Sequence, residues 1–253
     1  MKYDSVAADY DRTRGGEPRG ERYATYLAPW LRQLSAANVE IGVGTGLVSL
    51  GLRRLGFDIA GLDLSEGMLT HAKARLGTGL VRADATRLPF ADDSVGNIVS
   101  VWMIQATAEP LQLIREAYRV LCPGGRFLVC PMTRPAFRDL TGVLIAQMHV
   151  RLESRTPGIS LPPVVSADVV VEWAKEVGFS GRAERLPDEK WESTAEDEIE
   201  NIEQRRWAPL VDLDEATFAE VTAPTLTALR DLPEGPVRRR SVAELAILEK
   251  PER

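Results

Sequence analysis

Between residue 38 and about residue 132 the apolar positions keep two rhythms in alternation. Short continuous apolar runs stand at 39–43, 58–63, 79–82, 97–102 and 126–131. Between them, at 47–55, 66–76 and 110–121, apolar residues return every three or four positions. The first rhythm predicts strands and the second helices. Strands that are apolar along their whole length belong to a parallel sheet covered on both faces. The pattern therefore predicts an α/β fold, an open sheet with helices on both sides and ligands at the carboxyl ends of its strands. Cys122-Pro123-Gly124-Gly125 stops one helix and turns the chain into the next strand.

The alternation breaks at residues 133–165, where a helix over 141–152 leads into a Pro-containing stretch at 156–163. Ser166 then caps a predicted helix over 167–177 that stops at Gly178, and a strand follows at 179–186. Residues 187–236 read as an acidic, helix-rich insertion punctuated by Pro209, Pro224, Pro233 and Pro236. The last strand is expected at 242–249. Neither repeats nor low-complexity segments occur.

The most telling stretch is Val39-Glu40-Ile41-Gly42-Val43-Gly44-Thr45-Gly46. A strand runs straight into three glycines and then into a helix, so the backbone can turn sharply and touch a ligand at the helix N-terminus. Four further features fall at successive strand ends. Asp63 closes the second strand, where a carboxylate can accept both hydroxyls of a ribose. Asp84, next to Ala85, follows the third and is placed to accept from the exocyclic amine of a purine. Val101-Trp102-Met103 ends the fourth, and the Pro123-Gly124-Gly125 turn precedes the fifth.

Composition narrows the classes. A chain of 253 residues, 44% hydrophobic and 27% charged, can bury a large core without staples. Its net charge of −6 argues against a broad nucleic-acid surface. The N-terminus carries no apolar signal stretch and no apolar run reaches spanning length, so a cytoplasmic protein that does not engage membranes is expected. Cys122 and Cys130 lack metal-ligand spacing and read as reduced core thiols. With only His71 and His149 present, a multi-histidine metal centre is set aside, and no metal is expected.

A nicotinamide dehydrogenase would also place glycines before an acid at the next strand end. Its fingerprint is G-x-G-x-x-G, which seats a pyrophosphate; here the third glycine comes one residue early. Asp84 and the Pro-Gly-Gly turn have no role in that fingerprint either. Together these residues resemble the class I S-adenosylmethionine-dependent methyltransferases, in the small-molecule branch that includes the ubiquinone and menaquinone methyltransferases. The similarity is good from Tyr3 to Met132 and holds only in outline beyond.

The resemblance implies a Rossmann-like open sheet, mostly parallel with an antiparallel C-terminal strand, in a single domain over 1–253. Residues 1–30 would form lid helices, and 133–165 and 187–236 would form helical substrate-cap insertions. It implies S-adenosylmethionine as cofactor, lying over Gly42, Gly44 and Gly46. Glu40 would order the loop near the methionine ammonium and Asp63 would take the ribose hydroxyls. Asp84 and Ala85 would bind adenine, with Leu64 and Met68 packed on it and Val101 and Trp102 beside the methionine arm. On the lid segment 3–11 and just after it, Tyr10 and Arg14 would line the transfer chamber and meet the methionine carboxylate; an ordinary amphipathic helix is the other reading. Two departures from the family stand out. Gly96 takes a slot where relatives commonly carry Asp, and Gln105-Ala106 stands where many carry a His pair.

Methyl transfer from a sulfonium needs alignment, and needs a base only when the acceptor must lose a proton. His149, on the helix of the first insertion, is the candidate catalytic base, and core packing is its commoner alternative. His71 reads as solvated surface. Arg205-Arg206-Trp207 can clamp an anionic or aromatic acceptor or form a surface cluster, and the acids of 188–203 can draw in an amine or simply be solvated. The expected activity is methylation of a small molecule, O-methylation favoured, in bacterial secondary metabolism, by a monomer or homodimer. A protein of this fold that binds the cofactor without transferring its methyl, as a cyclase or ligand-binding protein, is the alternative.

Overall fold

The structure is a computed structural model and describes residue 4 and residues 7–132, 139–156 and 165–252. Residues 133–138 and 157–164 of the expected first cap insertion, and 1–3, 5 and 6 of the expected lid, lie outside those described.

Seven strands form the main sheet: β1 (Ala37–Ile41), β2 (Ile59–Asp63), β3 (Leu80–Arg82), β4 (Val95–Val101), β5 (Leu121–Cys130), β6 (Ser180–Arg185) and β9 (Glu244–Glu249). Their order is β3-β2-β1-β4-β5-β9-β6. All pairs are parallel except those of β9, which runs antiparallel between β5 and β6. The expected mostly parallel sheet with an antiparallel last strand is therefore the one observed. Strand order reverses at β1 and β4, and the crevice outside their carboxyl ends is where such sheets bind ligands. The Cys122–Gly125 turn sits inside β5, where pairing with β4 jumps from Val95↔Leu121 to Asn97↔Arg126.

Side chains alternate across the pleat and feed two cores. Ile98, Phe127, Val129 and Leu248 face α5 (Pro110–Val120) and α7 (Ala167–Val177). Val99, Leu128, Leu245 and Ile247 face the other way, toward α2 (Gly16–Leu27) and α3 (Leu47–Arg54). Burying each such aliphatic or aromatic side chain contributes about 1.5–3 kcal/mol, so the sheet is the stable frame of the molecule. α2 lies close on α3 because Gly20 has no side chain: a Cβ there would stand 2.7 Å from that of Leu47. Ser166 caps α7 as the sequence predicts, accepting from Val169 N–H, and Ser65 does the same for Met68 N–H at the head of α4 (Glu66–Leu76).

The two insertions meet. Ile145, Met148 and Leu152 of α6 (Leu140–Arg155) pack with Ile202 of α8 (Ala195–Glu203), Leu210 of α9 (Ala208–Val211) and Val221 of α10 (Glu215–Arg230), making a third core separate from the sheet. Here the sequence reading needs three corrections. Residues 187–236 are not all helix: β7 (Glu189–Ser193) pairs with β8 (Val237–Ser241) as a two-stranded antiparallel ribbon. Neither strand alternates apolar and polar residues; charge pairs such as Arg238–Glu192 across the ribbon replace that signal. The last strand of the main sheet begins at Glu244 rather than Val242, because β8 occupies the preceding residues. Pro224 does not break the chain but sits within α10. No helix among the described residues is long and apolar enough to cross a membrane.

Candidate active site

The crevice at the β1/β4 reversal is built on the glycine loop. Gly42, Gly44 and Gly46 all have positive φ, at 70°, 54° and 88°. The N–H groups of Gly42 and Val43 both donate to Leu62 O, at 2.8 and 2.9 Å, which pins the loop to β2. A Cβ on Gly42 would stand 2.3 Å from Cγ of Met103, whereas one on Gly44 would meet no atom within 4 Å. Gly42 is small so that the loop can press against the end of β4. Gly44 is small on the side that opens to the crevice.

Two carboxylates border the loop. Asp63 takes the Gly44 N–H on Oδ2 and the Ser65 N–H on Oδ1, both at 2.9 Å. Burial pushes its carboxyl up, and the N–H groups of Ser65, Gly44 and Leu64 pull the other way. Each oxygen keeps a further lone pair for a ligand hydroxyl. Glu40, 2% exposed, faces α3 and accepts from Ser49 Oγ at 2.5 Å. Burial raises its pKa to about 8, against the opposing pull of Ser49, with the Asp63 charge adding to the rise. A buried carboxyl of this kind regains its charge when a cation such as an ammonium comes beside it.

Beyond β2, Ala83 N–H donates to Asp63 O at 3.1 Å, so Asp84 and Ala85 leave β3 next to Asp63. Asp84 is exposed, with Oδ1 accepting from Thr86 N–H and Oγ1 at 2.8 Å each. Ala85 is buried, Leu64 stands exposed at the mouth, and Met68 is already inside α4's packing. Near the start of the chain, α1 (Ala7–Thr13) is strapped to the loop: Asp11 accepts from Thr45 Oγ1 at 2.5 Å and pairs with Arg75, whose guanidinium also reaches Thr45 O at 2.7 Å. Asp4 accepts from Ser65 Oγ at 2.6 Å and from Gly67 N–H at 2.9 Å, bringing the chain start beside Asp63.

At the end of β4, half-buried Val101 leads to Trp102, which has φ 55° and donates its N–H to Cys130 O at 2.8 Å. Positive φ in a tryptophan is strained and is held by its surroundings. Its indole Nε1–H donates to Tyr23 Oη at 3.1 Å, and Arg19 lies over its face, Cζ 2.9 Å from the ring centroid. Arg19 Nη1 donates to Arg14 O at 3.0 Å, and Tyr10 is among the groups acting on the Arg19 charge. Tyr10 and the Arg14 carbonyl are thus both near the Arg19 guanidinium. Sequence reasoning missed Arg19 and Tyr23. Their spacing of four on one helix, facing the predicted strand-four end, was the available signal.

His149 stands apart from this group, on α6, with its ring 5.3 Å from that of Trp207. Arg205 and Arg206 are spent within the cap. Arg205 bonds Leu213 O and Glu215 and lies over Phe218, while Arg206 bonds Glu200 and Gln204. The acids of 188–203 are matched likewise, by Arg240 at Asp188, Arg206 at Glu200 and Arg230 at Glu203. Among the described residues no cluster of three or more His, Cys, Asp or Glu could hold a metal ion. Both cysteines are free thiols, and Cys130 is buried, its thiol pushed up by burial. Next to Gly96, Asn97 is buried and bonds Arg32 N–H and O at 2.9 Å each and Asn38 at 2.7 Å.

Comparison with known proteins agrees with this geometry. Residues 39–129 match the family described as methyltransferase domain. A demethylmenaquinone methyltransferase of Clavibacter sepedonicus is 34% identical over 200 residues, covering 70% of this chain and 80% of that protein. Among solved structures, geranyl diphosphate C-methyltransferase of Streptomyces coelicolor, in complex with S-adenosylhomocysteine, has a TM-score of 0.53 at 15% identity over 90% of this chain and 78% of its own. The 4+2 cyclase SpnF has a TM-score of 0.61 at 19% identity over 99% of this chain and 95% of its own. The two structures show the fold.

Proposed function

From the premise that this chain belongs to the class I S-adenosylmethionine-dependent methyltransferases, of the small-molecule kind, we propose that it transfers a methyl group to an acidic hydroxyl of a small aromatic acceptor. S-adenosylmethionine is the cofactor. The observation that carries the site is the convergence of Gly44, Asp63 and Glu40 at the β1/β4 reversal: an open backbone cradle, a carboxylate with spare lone pairs, and a buried acid suited to an ammonium. In this reading Asp63 holds the ribose hydroxyls, Glu40 the methionine ammonium, and Asp84 with Ala85 the adenine. Leu64 covers the ring, Met68 supports it from within α4, and Tyr10 and Arg14 close over the methionine end. Val101 and Trp102 form the wall between cofactor and acceptor.

The cofactor, when bound, supplies the electrophilic methyl. The protein aligns the acceptor oxygen with it and excludes water. The joined helical cap is the acceptor side of the chamber, with His149 and Trp207 in its wall. Demethylmenaquinone is the acceptor in the Clavibacter relative's name, and a phenolic ring shares its planarity while adding the hydroxyl that this reading requires. The likeness to the 4+2 cyclase SpnF makes a cyclase or ligand-binding protein of the same fold the second reading, with Gln105-Ala106 following β4 where many methyltransferases of the family carry a His pair. Incubation with methyl-labelled cofactor and a panel of phenols, enols and amines tests both. Label in a phenol or enol, with S-adenosylhomocysteine formed in equal amount, supports transfer. Tight cofactor binding with no S-adenosylhomocysteine from any acceptor supports the second.

A further inference from the structure

Near the β4 end, Nε of Arg19, Oε1 of Glu189 and, on the strand itself, Ser100 Oγ are buried without a hydrogen-bond partner. Arg19 makes one hydrogen bond, from Nη1 to Arg14 O, and no carboxylate among the described residues lies within 4.0 Å of it. Its charge is instead spread over the Trp102 face, with Tyr23 on a second side at 5.3 Å. Burial lowers the guanidinium pKa, and Glu189 is among the groups that act against that, together with Tyr10 and Tyr23. Glu189 is the first residue of β7, so the ribbon of the second insertion carries it toward α2, where Arg22 Nη1 stands 3.7 Å from its Oε1. The same carboxylate acts on Tyr23 and Cys130, which puts it on the α2 side of the sheet. Tyr23 Oη accepts from Trp102 and has its own proton unspent among the described residues.

A buried donor and a buried acceptor, each without a hydrogen-bond partner, the acceptor ion-paired to Arg22 at 3.7 Å and the two within each other's field but not in contact, match a group that can do both things at once. A hydroxyl donates to a carboxylate and accepts from a guanidinium through the same oxygen. We propose that Arg19 and Glu189 form the hydroxyl subsite of the methyl acceptor, Glu189 taking the proton and Arg19 holding the oxygen that becomes charged. This rests on the methyltransferase reading, which sets the methyl donor beside Trp102. The Trp102 face and the planar guanidinium favour a planar acceptor stacked in the same column. An alkanol is too weak an acid for a carboxylate to deprotonate, so the substrate class is a phenol or an enol.

The step balances. Glu189 removes the O–H proton, and a lone pair of the resulting oxyanion forms the new O–CH3 bond. The C–S bond of the sulfonium breaks with its electron pair going to sulfur, giving neutral S-adenosylhomocysteine and the methyl ether. The proton stays on Glu189 until the product leaves and then passes to water. Tyr23 O–H offers a further donor to the oxyanion.

4-Nitrophenol, whose phenolate is coloured and whose neutral form is not, is the probe. The protein saturated with S-adenosylhomocysteine is titrated with it below the pH at which the free phenol ionises. The phenolate band should appear on binding to the wild-type protein. It should weaken about tenfold or more in both Arg19→Gln and Glu189→Gln, and recover in part in Arg19→Lys, while the S-adenosylhomocysteine Kd stays within about twofold in all three. The proposal is overturned if the wild-type protein gives no band, or if either Gln variant keeps it in full. It is also overturned if Arg19→Gln loses cofactor affinity about tenfold, which would assign Arg19 to the methionine carboxylate. Loss of the band in His149→Ala but not in Glu189→Gln would move the base to the cap and overturn it too. If the wild-type protein fails to bind S-adenosylhomocysteine at all, the failure is that of the methyltransferase reading and is seen before any phenol is added.

Discussion

Asp63 Oδ2 accepts the backbone N–H of Gly44 across 2.9 Å. One carboxylate therefore holds the tip of the glycine loop and offers its remaining lone pairs to the crevice that the loop borders. Replacing it removes a structural tie and a ligand contact together. Asp63→Ala should weaken cofactor binding by about 2–4 kcal/mol, the worth of a charge-assisted pair of hydrogen bonds. Titration calorimetry with S-adenosylhomocysteine measures it, and unchanged affinity would remove Asp63 from the site.

Glu40 makes binding a proton-linked event. Its folded pKa of about 8 lies above the ordinary value of 4.5, so the folded state holds an extra proton between those pH values. Stability therefore declines as pH rises through that window, and the penalty is complete above the folded pKa. Glu40→Gln should flatten this decline, and melting curves from pH 5 to 9 will show the variant gaining on the wild-type protein as pH rises. At neutral pH, an ammonium arriving beside Glu40 should expel about one proton. Calorimetry in buffers of different ionisation enthalpy counts it, and the Gln variant should release none.

The loop glycines separate folding from binding. Gly42→Ala places a methyl against Met103 at a positive φ, so strain of about 1–2 kcal/mol from the backbone is joined by overpacking. Gly44→Ala carries the backbone strain without a clash, and its methyl projects into the crevice. Urea unfolding should show Gly42→Ala as the less stable of the two. Calorimetry should show Gly44→Ala losing cofactor affinity by more than its stability loss accounts for.

In the cap, Arg239 is buried and paired to Asp139 at 2.7 Å, with Ser193 Oγ accepting from Nε at 3.0 Å and Glu198 at 3.8 Å from Nη2. It joins β8, the start of α6 and α8. Arg239→Met leaves the half-buried Asp139 and Glu198 without their partner and should cost about 3 kcal/mol. A shift of the urea midpoint without change in cofactor affinity is the expected result. Loss of cofactor binding in the folded variant would show that the cap also shapes the donor site.

Much of the frame was readable from residue pattern because hydrophobic burial dictates it. The apolar runs that became β1, β2, β4 and β5 must be covered on both faces, and their order carries Glu40, Asp63 and Asp84 to one edge. The ribbon escaped notice because β7 and β8 are held by charge pairs, and such strands leave no apolar alternation to read. Proline reads as punctuation in a linear sequence, yet α10 runs through Pro224 with Val221 and Leu226 anchoring both sides in the third core. Arg205 and Arg206 looked available because a linear sequence does not reveal that Leu213 O, Glu215 and Glu200 fold back onto them. Arg19 and Glu189 are separated by most of the chain, and only the packing of the ribbon near α2 makes them neighbours.

The register of that ribbon, Ser193 opposite Val237, has an evolutionary consequence. Residues 194–236 leave and return at one narrow stalk, like a flag on a pole, and the flag packs chiefly on α6 rather than on the sheet. A lineage can lengthen, shorten or recolour this segment and so meet new acceptors, while the sheet inherits its donor chemistry unchanged.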